Sequence, residues 1–348
     1  MYQYILLYNL PKMAFIFTLL MMLCASQVSC CETSCGGLRL EHKLFSADHR
    51  ALVNSVYKKK TAASQVICGR ECSMDPECRS VNYHKCRKLC ELSTATRREF
   101  PEAFVEGQGS VYFDADEKTP LFSLARNHST RYLSCEQLFD AGFCSSGVYT
   151  IHPHGFDKGG LRVDCDMATD DGGWIMFQRR QDGSVDFYRT WAEYQSGFGN
   201  LSGEFWLGND NLAKLMSDNL QVKWELRVDL MDWGNNTAWA KYQDFTISGT
   251  KYTLSFSTYD VNSTAGNALG RQNGMPFTTK DNENDIWQGG NCANFFHGAW
   301  WYKDCTSTNL NGRYYPYRNV KFNQGIKWNL WVGRKQSLKQ CSMKMREI

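Results

Sequence analysis

The sequence is short of proline and histidine, with 7 of each in 348 residues, and it is nearly neutral: 39 Lys and Arg stand against 36 Asp and Glu, formally +3. So even a balance builds no field for a polyanion, and nucleic acid is excluded as an expected partner. The runs Lys58-Lys59-Lys60 and Arg97-Arg98 read as solvated surface. Long apolar runs are missing too: the stretch from Ala14 to Leu23 falls well short of the roughly 20 residues that a membrane span needs. There is no collagen-type Gly-x-y run and no heptad seam, which removes the usual sequence-visible oligomerisation stalks. Catalytic signatures are also absent. There is no nucleophile elbow, no His-Glu-x-x-His and no phosphate loop, and the pair His152-Pro153-His154 reads as an exposed turn. The expectation is a non-enzymatic protein without a membrane span.

What the chain does have is cysteine, 15 in all. Lys12, the apolar stretch after it, and the small residues Ala25, Ser26 and Ser29 read as a secretory signal peptide over residues 1–29, with Met13 as an alternative start. In the oxidising compartment that this implies, cysteines become crosslinks. Cys24 lies in the signal. Cys30, Cys31, Cys35, Cys68, Cys72, Cys78, Cys86 and Cys90 fall in one half, and Cys135, Cys144, Cys165, Cys292, Cys305 and Cys341 in the other. Cleavage before Cys30 leaves both halves even and able to close internally; cleavage after it leaves one thiol for a bond between two copies. Sequons at Asn127, Asn200, Asn235 and Asn262 fit the same secreted, extracellular destination.

Cysteine spacing is dense up to Cys90 and sparse afterwards, and the polar stretch Asp114 to Pro120 marks a boundary, so residues 114–129 are expected to be a linker. Thr61 to Cys72 is expected to be a helix with Cys68 and Cys72 on one face, each stapling it to a different strand. The spacings Cys68-x3-Cys72 and Cys86-x3-Cys90 also suit zinc, which a secreted protein disfavours. With the run Ile67 to Tyr83 and Cys90-Glu-Leu-Ser93, residues 31–113 resemble a PAN/apple domain. That resemblance implies one helix on a small antiparallel sheet, used for protein or carbohydrate contacts.

The second half gathers its Trp, Gly, Asn and Asp into blocks suited to short strands and long ordered loops. They are Asp171-Gly-Gly-Trp174, Phe177 to Tyr188, Gly203 to Asp210, Gly298 to Cys305, Asn309 to Tyr314 and Gly325 to Trp328; Leu226 to Leu230 alternates as a strand should. In this order they resemble the fibrinogen C-terminal domain over residues 130–348. The fold class expected for the whole protein is therefore α+β: a small disulfide-rich module, then a twisted antiparallel sheet with short helices.

The same resemblance implies disulfides Cys135–Cys165 and Cys292–Cys305, which leaves Cys144 and Cys341 to pair by parity. The loop Asp281-Asn-Glu-Asn-Asp-Ile-Trp-Gln-Gly289 sets three carboxylates at alternate positions, and like charges so crowded call for a cation. Calcium fits a loop of carboxylates followed by backbone carbonyls. By resemblance, Glu283 and Asp285 supply side-chain oxygens, Trp287 and Gly289 carbonyls, and Asp281 outer support. Glu283 stands where the family usually has Asp, and the loop is one residue longer before Cys292.

In ficolin-like lectins an acetyl group docks beside the disulfide that matches Cys292–Cys305. Carried over, a cis peptide at Asp304-Cys305 aims two N–H groups at the acetyl oxygen, and Phe296 and Phe322 wall a cup for the methyl. Thr306 replaces the usual His, Phe322 a frequent Tyr, and Asn323 a small residue, so the cup keeps its apolar body and loses polar handles. The function expected is calcium-assisted recognition of acetylated glycans, in the manner of innate defence. The alternative is a ligand or matrix protein of the angiopoietin or tenascin kind, with a cell-surface or matrix protein as partner.

Overall fold

The computed structural model describes residues 44–116, 131–156, 159–217 and 222–348. The expected signal peptide, Cys24, Cys30, Cys31, Cys35, most of the linker and the sequon at Asn127 lie outside the described residues. Among the described residues no helix is long and apolar enough to cross a membrane.

The first module is a five-stranded antiparallel sheet of β1 (Phe45–Leu52), β2 (Val56–Thr61), β3 (Ser80–His84), β4 (Leu89–Ser93) and β5 (Phe104–Asp114), in the order β1-β5-β3-β4-β2. One helix, α1 (Gln65–Ser73), packs on it and buries Cys68, Gly69 and Cys72. The helix begins four residues later than the sequence suggests. Thr61 is the last residue of β2 and pairs with Leu89, while the Ser64 hydroxyl accepts from the Ile67 N–H at 3.3 Å and sets the cap. Cys68–Cys90 ties α1 to β4, as two thiols on one face allow. Cys72 does not reach a second strand: it bonds Cys78, six residues on, and closes the turn that follows α1. The small core of Val81, Tyr83, Cys90 and Leu92 thus gains crosslinks where apolar area is short. Asp114, expected to open the linker, instead ends β5 with its carboxylate buried, accepting from the Tyr112 hydroxyl at 2.9 Å.

The second module is built on a nine-stranded antiparallel sheet. Its central strand, Gln340–Glu347, lies between Trp224–Met231 and Trp174–Arg180, so the C-terminal segment closes the fold. The expected Leu226 to Leu230 alternation is visible as buried Leu226, Val228 and Leu230 with partly exposed Arg227 and Asp229 between them. Beside the sheet, long loops pack the fully buried indoles of Trp206, Trp300, Trp301 and Trp328. Trp301 donates to the Tyr252 carbonyl at 2.7 Å and Trp328 to the Ala265 carbonyl at 2.9 Å, so loops without ladder bonds are held by ring N–H groups.

One expected cysteine pairing, Cys144–Cys341, differs in the structure. Cys144 bonds Cys86, in the turn between β3 and β4, and not Cys341; the two modules therefore do not close separately. Cys341 is a free, buried thiol inside the central strand, beside Leu230 and Arg180, with its sulfur 3.7 Å from the Gln178 side chain. Cys144 sits in an exposed loop with its Cα 5.0 Å from that of Cys86, within disulfide reach, so parity misled because the pairing crosses the module boundary. Burial pushes the Cys341 thiol up to about 12 and leaves it unreactive.

Next to Cys86–Cys144, Arg87 donates to Glu136 at 2.5 Å and Asp140 at 2.8 Å and lies over the Phe139 ring. Gly109 in β5, at φ 74°, approaches the backbone at Asp140 and Gly142 so closely that a Cβ has no room.

Candidate functional site

The site is assembled by the segment from Thr278 to Thr308. Thr278 bridges Trp300, and the Asn284 side chain donates to the Phe277 carbonyl at 2.9 Å, which fixes the start of the acidic loop. At its end Asn291 caps the short helix Cys292–Phe296: its Oδ1 accepts from the Ala293 N–H at 2.7 Å while its Nδ2 donates to the Thr279 carbonyl at 2.8 Å. The loop is fastened to the turn beyond the helix by the Ile286 N–H on the Lys303 carbonyl at 3.0 Å and the Lys303 N–H on the Cys305 carbonyl at 2.8 Å. Cys292–Cys305 spans the same two segments, and the Asp304-Cys305 peptide is cis.

The acidic residues divide by role. Asp285 is half-buried and accepts from the N–H groups of Trp287 and Cys292, each at 3.1 Å. Burial, followed by the nearby Glu283 charge, raises its pKa, and the two N–H groups pull the other way. Neither Asp285 nor the exposed Glu283 has an ion-pair partner among the described residues. Asp281 faces elsewhere: it accepts from the Trp191 N–H at 2.9 Å and the Thr279 hydroxyl at 2.8 Å, tying the loop to the helix Trp191–Ser196. Hence no three acidic, imidazole or thiol groups converge among the described residues. Of the acidic run, Glu283 and Asp285 remain as neighbouring carboxylates without an ion pair among the described residues, Asp285 held in place by two backbone N–H groups. Gly289 lies so close to the Trp287 indole that a Cβ there would meet it at 2.6 Å.

The residues expected to form the acetyl cup are not equivalent. Phe296 is buried, 4% exposed, against Phe295 and Tyr302. Phe322 is 55% exposed with Arg334 over its ring at 5.6 Å. No ring contact joins Phe296 to Phe322 among the described residues, so the two do not form a closed cup as they stand. Thr306 turns inward: its hydroxyl bonds Thr308 N–H and carbonyl and the Gln272 amide, and is committed to the fold. Asp304 is exposed and paired with Arg271. Asn323, at φ 60°, donates its N–H to the Arg334 carbonyl at 2.7 Å.

The backbone N–H groups of Cys305 and Thr306 have no acceptor among the described residues. Two neighbours were not anticipated from the sequence. Phe295, 54% exposed, follows from helix geometry, since it sits one step, about 100°, round from buried Phe296. Arg271, far away in sequence, had no local signal. The sequons at Asn200, Asn235 and Asn262 are all exposed.

Comparison with known proteins agrees with this layout. Residues 131–348 match the family model described as fibrinogen beta and gamma chains, C-terminal globular domain, and residues 46–116 match that of the PAN domain. Fibrinogen C domain-containing protein 1-A of Xenopus laevis is 42% identical over 217 residues, 61% of this chain and 46% of that protein. Tenascin-R of Homo sapiens is 46% identical over 214 residues, 61% of this chain and 15% of that protein. The match thus spans less than half the length of these relatives. Among solved structures, the fibrinogen-like globe domain of human ANGPTL2 aligns with a TM-score of 0.58 and 35% identity, over 62% of this chain and 98% of that one. Lamprey fibrin D-dimer, complexed with the peptide ligand Gly-His-Arg-Pro-amide, aligns at 0.56 and 34%, over 62% and 74%.

Proposed function

We propose that this chain, which belongs to the fibrinogen C-terminal domain family, is an extracellular, non-catalytic recognition protein that binds acetylated glycans beside Cys292–Cys305. The observation that carries the reading is the pair of unpartnered N–H groups on Cys305 and Thr306. A carbonyl oxygen of an N-acetyl group supplies the acceptor they lack, and the methyl lies against Phe322 at the lip of the site. With Thr306 turned inward and Phe322 without a hydroxyl, backbone donors do the polar recognition.

Calcium, held by Glu283 and Asp285 with the carbonyls of Trp287 and Gly289, would neutralise the paired carboxylates and stiffen the loop that bonds Lys303. Millimolar calcium is expected to raise the Tm by several degrees over chelator, since a ligand at about 100 times its Kd adds roughly 2.7 kcal/mol; an unchanged Tm counts against the site. The full-length protein should be retained on N-acetylglucosamine resin in calcium and released by the free sugar.

A second reading has its own support. Ile286, Phe295 and Phe322 are 59%, 54% and 55% exposed, and exposed apolar groups suit a protein surface. Failure to bind the resin, together with loss of protein capture at a cell surface on Phe295→Ser, would favour it.

A further inference from the structure

A second cleft lies beside His297, at the end of the helix Cys292–Phe296, with a volume of about 400 Å3, ample for a small ligand. One wall is the loop after the strand Trp174–Arg180, and Glu204 holds it in shape. Its Oε1 accepts from the N–H groups of Gln181, Asp182 and Gly183 and its Oε2 from that of Val185, at 2.8 to 3.2 Å. The facing wall is His297, in the left-handed region at φ 47°, with Arg313 and Tyr314. Tyr188 and His297 meet across the rim, ring centroids 5.1 Å apart.

The floor is Arg180, 1% exposed. Its Nη1 donates to the Leu310 and Gly312 carbonyls, at 3.0 and 2.8 Å, and its guanidinium lies 3.9 Å from the Phe187 centroid. Its Nε has no hydrogen-bond partner, since Glu204 Oε1 stands 3.7 Å away. Arg180 therefore supports the floor, its Nη1 committed to backbone carbonyls and its Nε turned towards Glu204. Arg313 on the rim is exposed and has no ion pair among the described residues. Against these stands Asp186, whose Oδ1 accepts from the Tyr188 N–H at 2.9 Å. Glu204 balances Arg180 inside the wall, so the cations and carboxylates of the cleft match in number, and Arg313 is the exposed cation on the rim, between aromatic walls, that lacks an ion pair among the described residues.

We propose that this cleft is a binding site for an anionic sugar, a pyranose ring bearing a carboxylate or sulfate, separate from the face at Cys292–Cys305. Tyr188 and Tyr314 cover the apolar face of the ring, the Arg313 fork takes the anion, and the free oxygen of Asp186 accepts from a hydroxyl. A neutral sugar leaves Arg313 without a partner, which makes charge the basis of selection.

The test is calorimetric titration of the full-length protein with four probes: the sulfated uronate–glucosamine disaccharide of heparin, its desulfated form, a neutral disaccharide, and an acidic peptide. Saturable binding of either charged disaccharide, at least tenfold tighter than the neutral one and undisturbed by saturating N-acetylglucosamine, is expected; which charged disaccharide binds identifies the anion. Arg313→Gln, an exposed change, should weaken binding at least tenfold with the Tm unchanged, and Tyr188→Leu should weaken it too. Equal binding of the neutral probe, equal binding of an acidic peptide, displacement by N-acetylglucosamine, or an undiminished affinity in Arg313→Gln would each overturn the site.

Discussion

Replacing Cys86 and Cys144 together by Ser lowers the stability of the protein by about 4 kcal/mol, because the bond they form closes a separation of 58 residues and removes that much loop entropy from the unfolded state. Urea unfolding should move from one transition to two, since the ion pairs that remain at the junction, Arg87 with Glu136 and Asp140, are partly solvent-screened and of small individual worth, and the other contacts there, Gly109 on the Asp140 backbone and Tyr132 with Gln108, are few. A peptide map of the untreated protein should recover Cys86 joined to Cys144 and find Cys341 alkylated only after denaturation. The functional consequence is geometric: the PAN-type module is fastened to the fibrinogen-type module at one end, so both present their surfaces to a partner as one body within Lys43–Ile348.

Glu204→Ala is expected to cost about 3–5 kcal/mol, the range for stripping one partner from a buried charge pair. The carboxylate is 1% exposed and takes four backbone N–H groups, with Arg180 behind it. Its loss leaves those donors and a guanidinium unpaired in the interior. A fall in Tm together with loss of the anionic-sugar affinity checks this, because the same loop forms a wall of the second cleft.

The sequence was legible where chemistry is local. The helix that carries Cys68 could be placed from its own residues, and the block from Gly298 to Cys305 from its likeness to the fibrinogen C-terminal domain. Alternation in Leu226 to Leu230 marked a strand with one buried face. What stayed hidden depends on separation in sequence. Counting thiols by halves could not show that Cys144 meets Cys86, because an even total says nothing of which side of a boundary a partner lies on. Phe296 and Phe322 are alike on paper, yet one is in the core and the other at the surface under Arg334. Asp281 belongs to the same acidic run as Asp285 and is drawn instead to the N-terminus of a helix 90 residues earlier. Arg180 and Glu204, which shape the second cleft, lie in ordinary strand and turn patterns, and only their burial reveals them.

The most direct measurement is calorimetric titration of N-acetylglucosamine, against glucose, into the calcium-loaded full-length protein. Saturable heat is expected from the acetylated sugar alone, diminished in Phe322→Ala and abolished by chelator. Identical flat traces for both sugars would contradict acetyl recognition and leave the exposed aromatic face as a protein-binding surface.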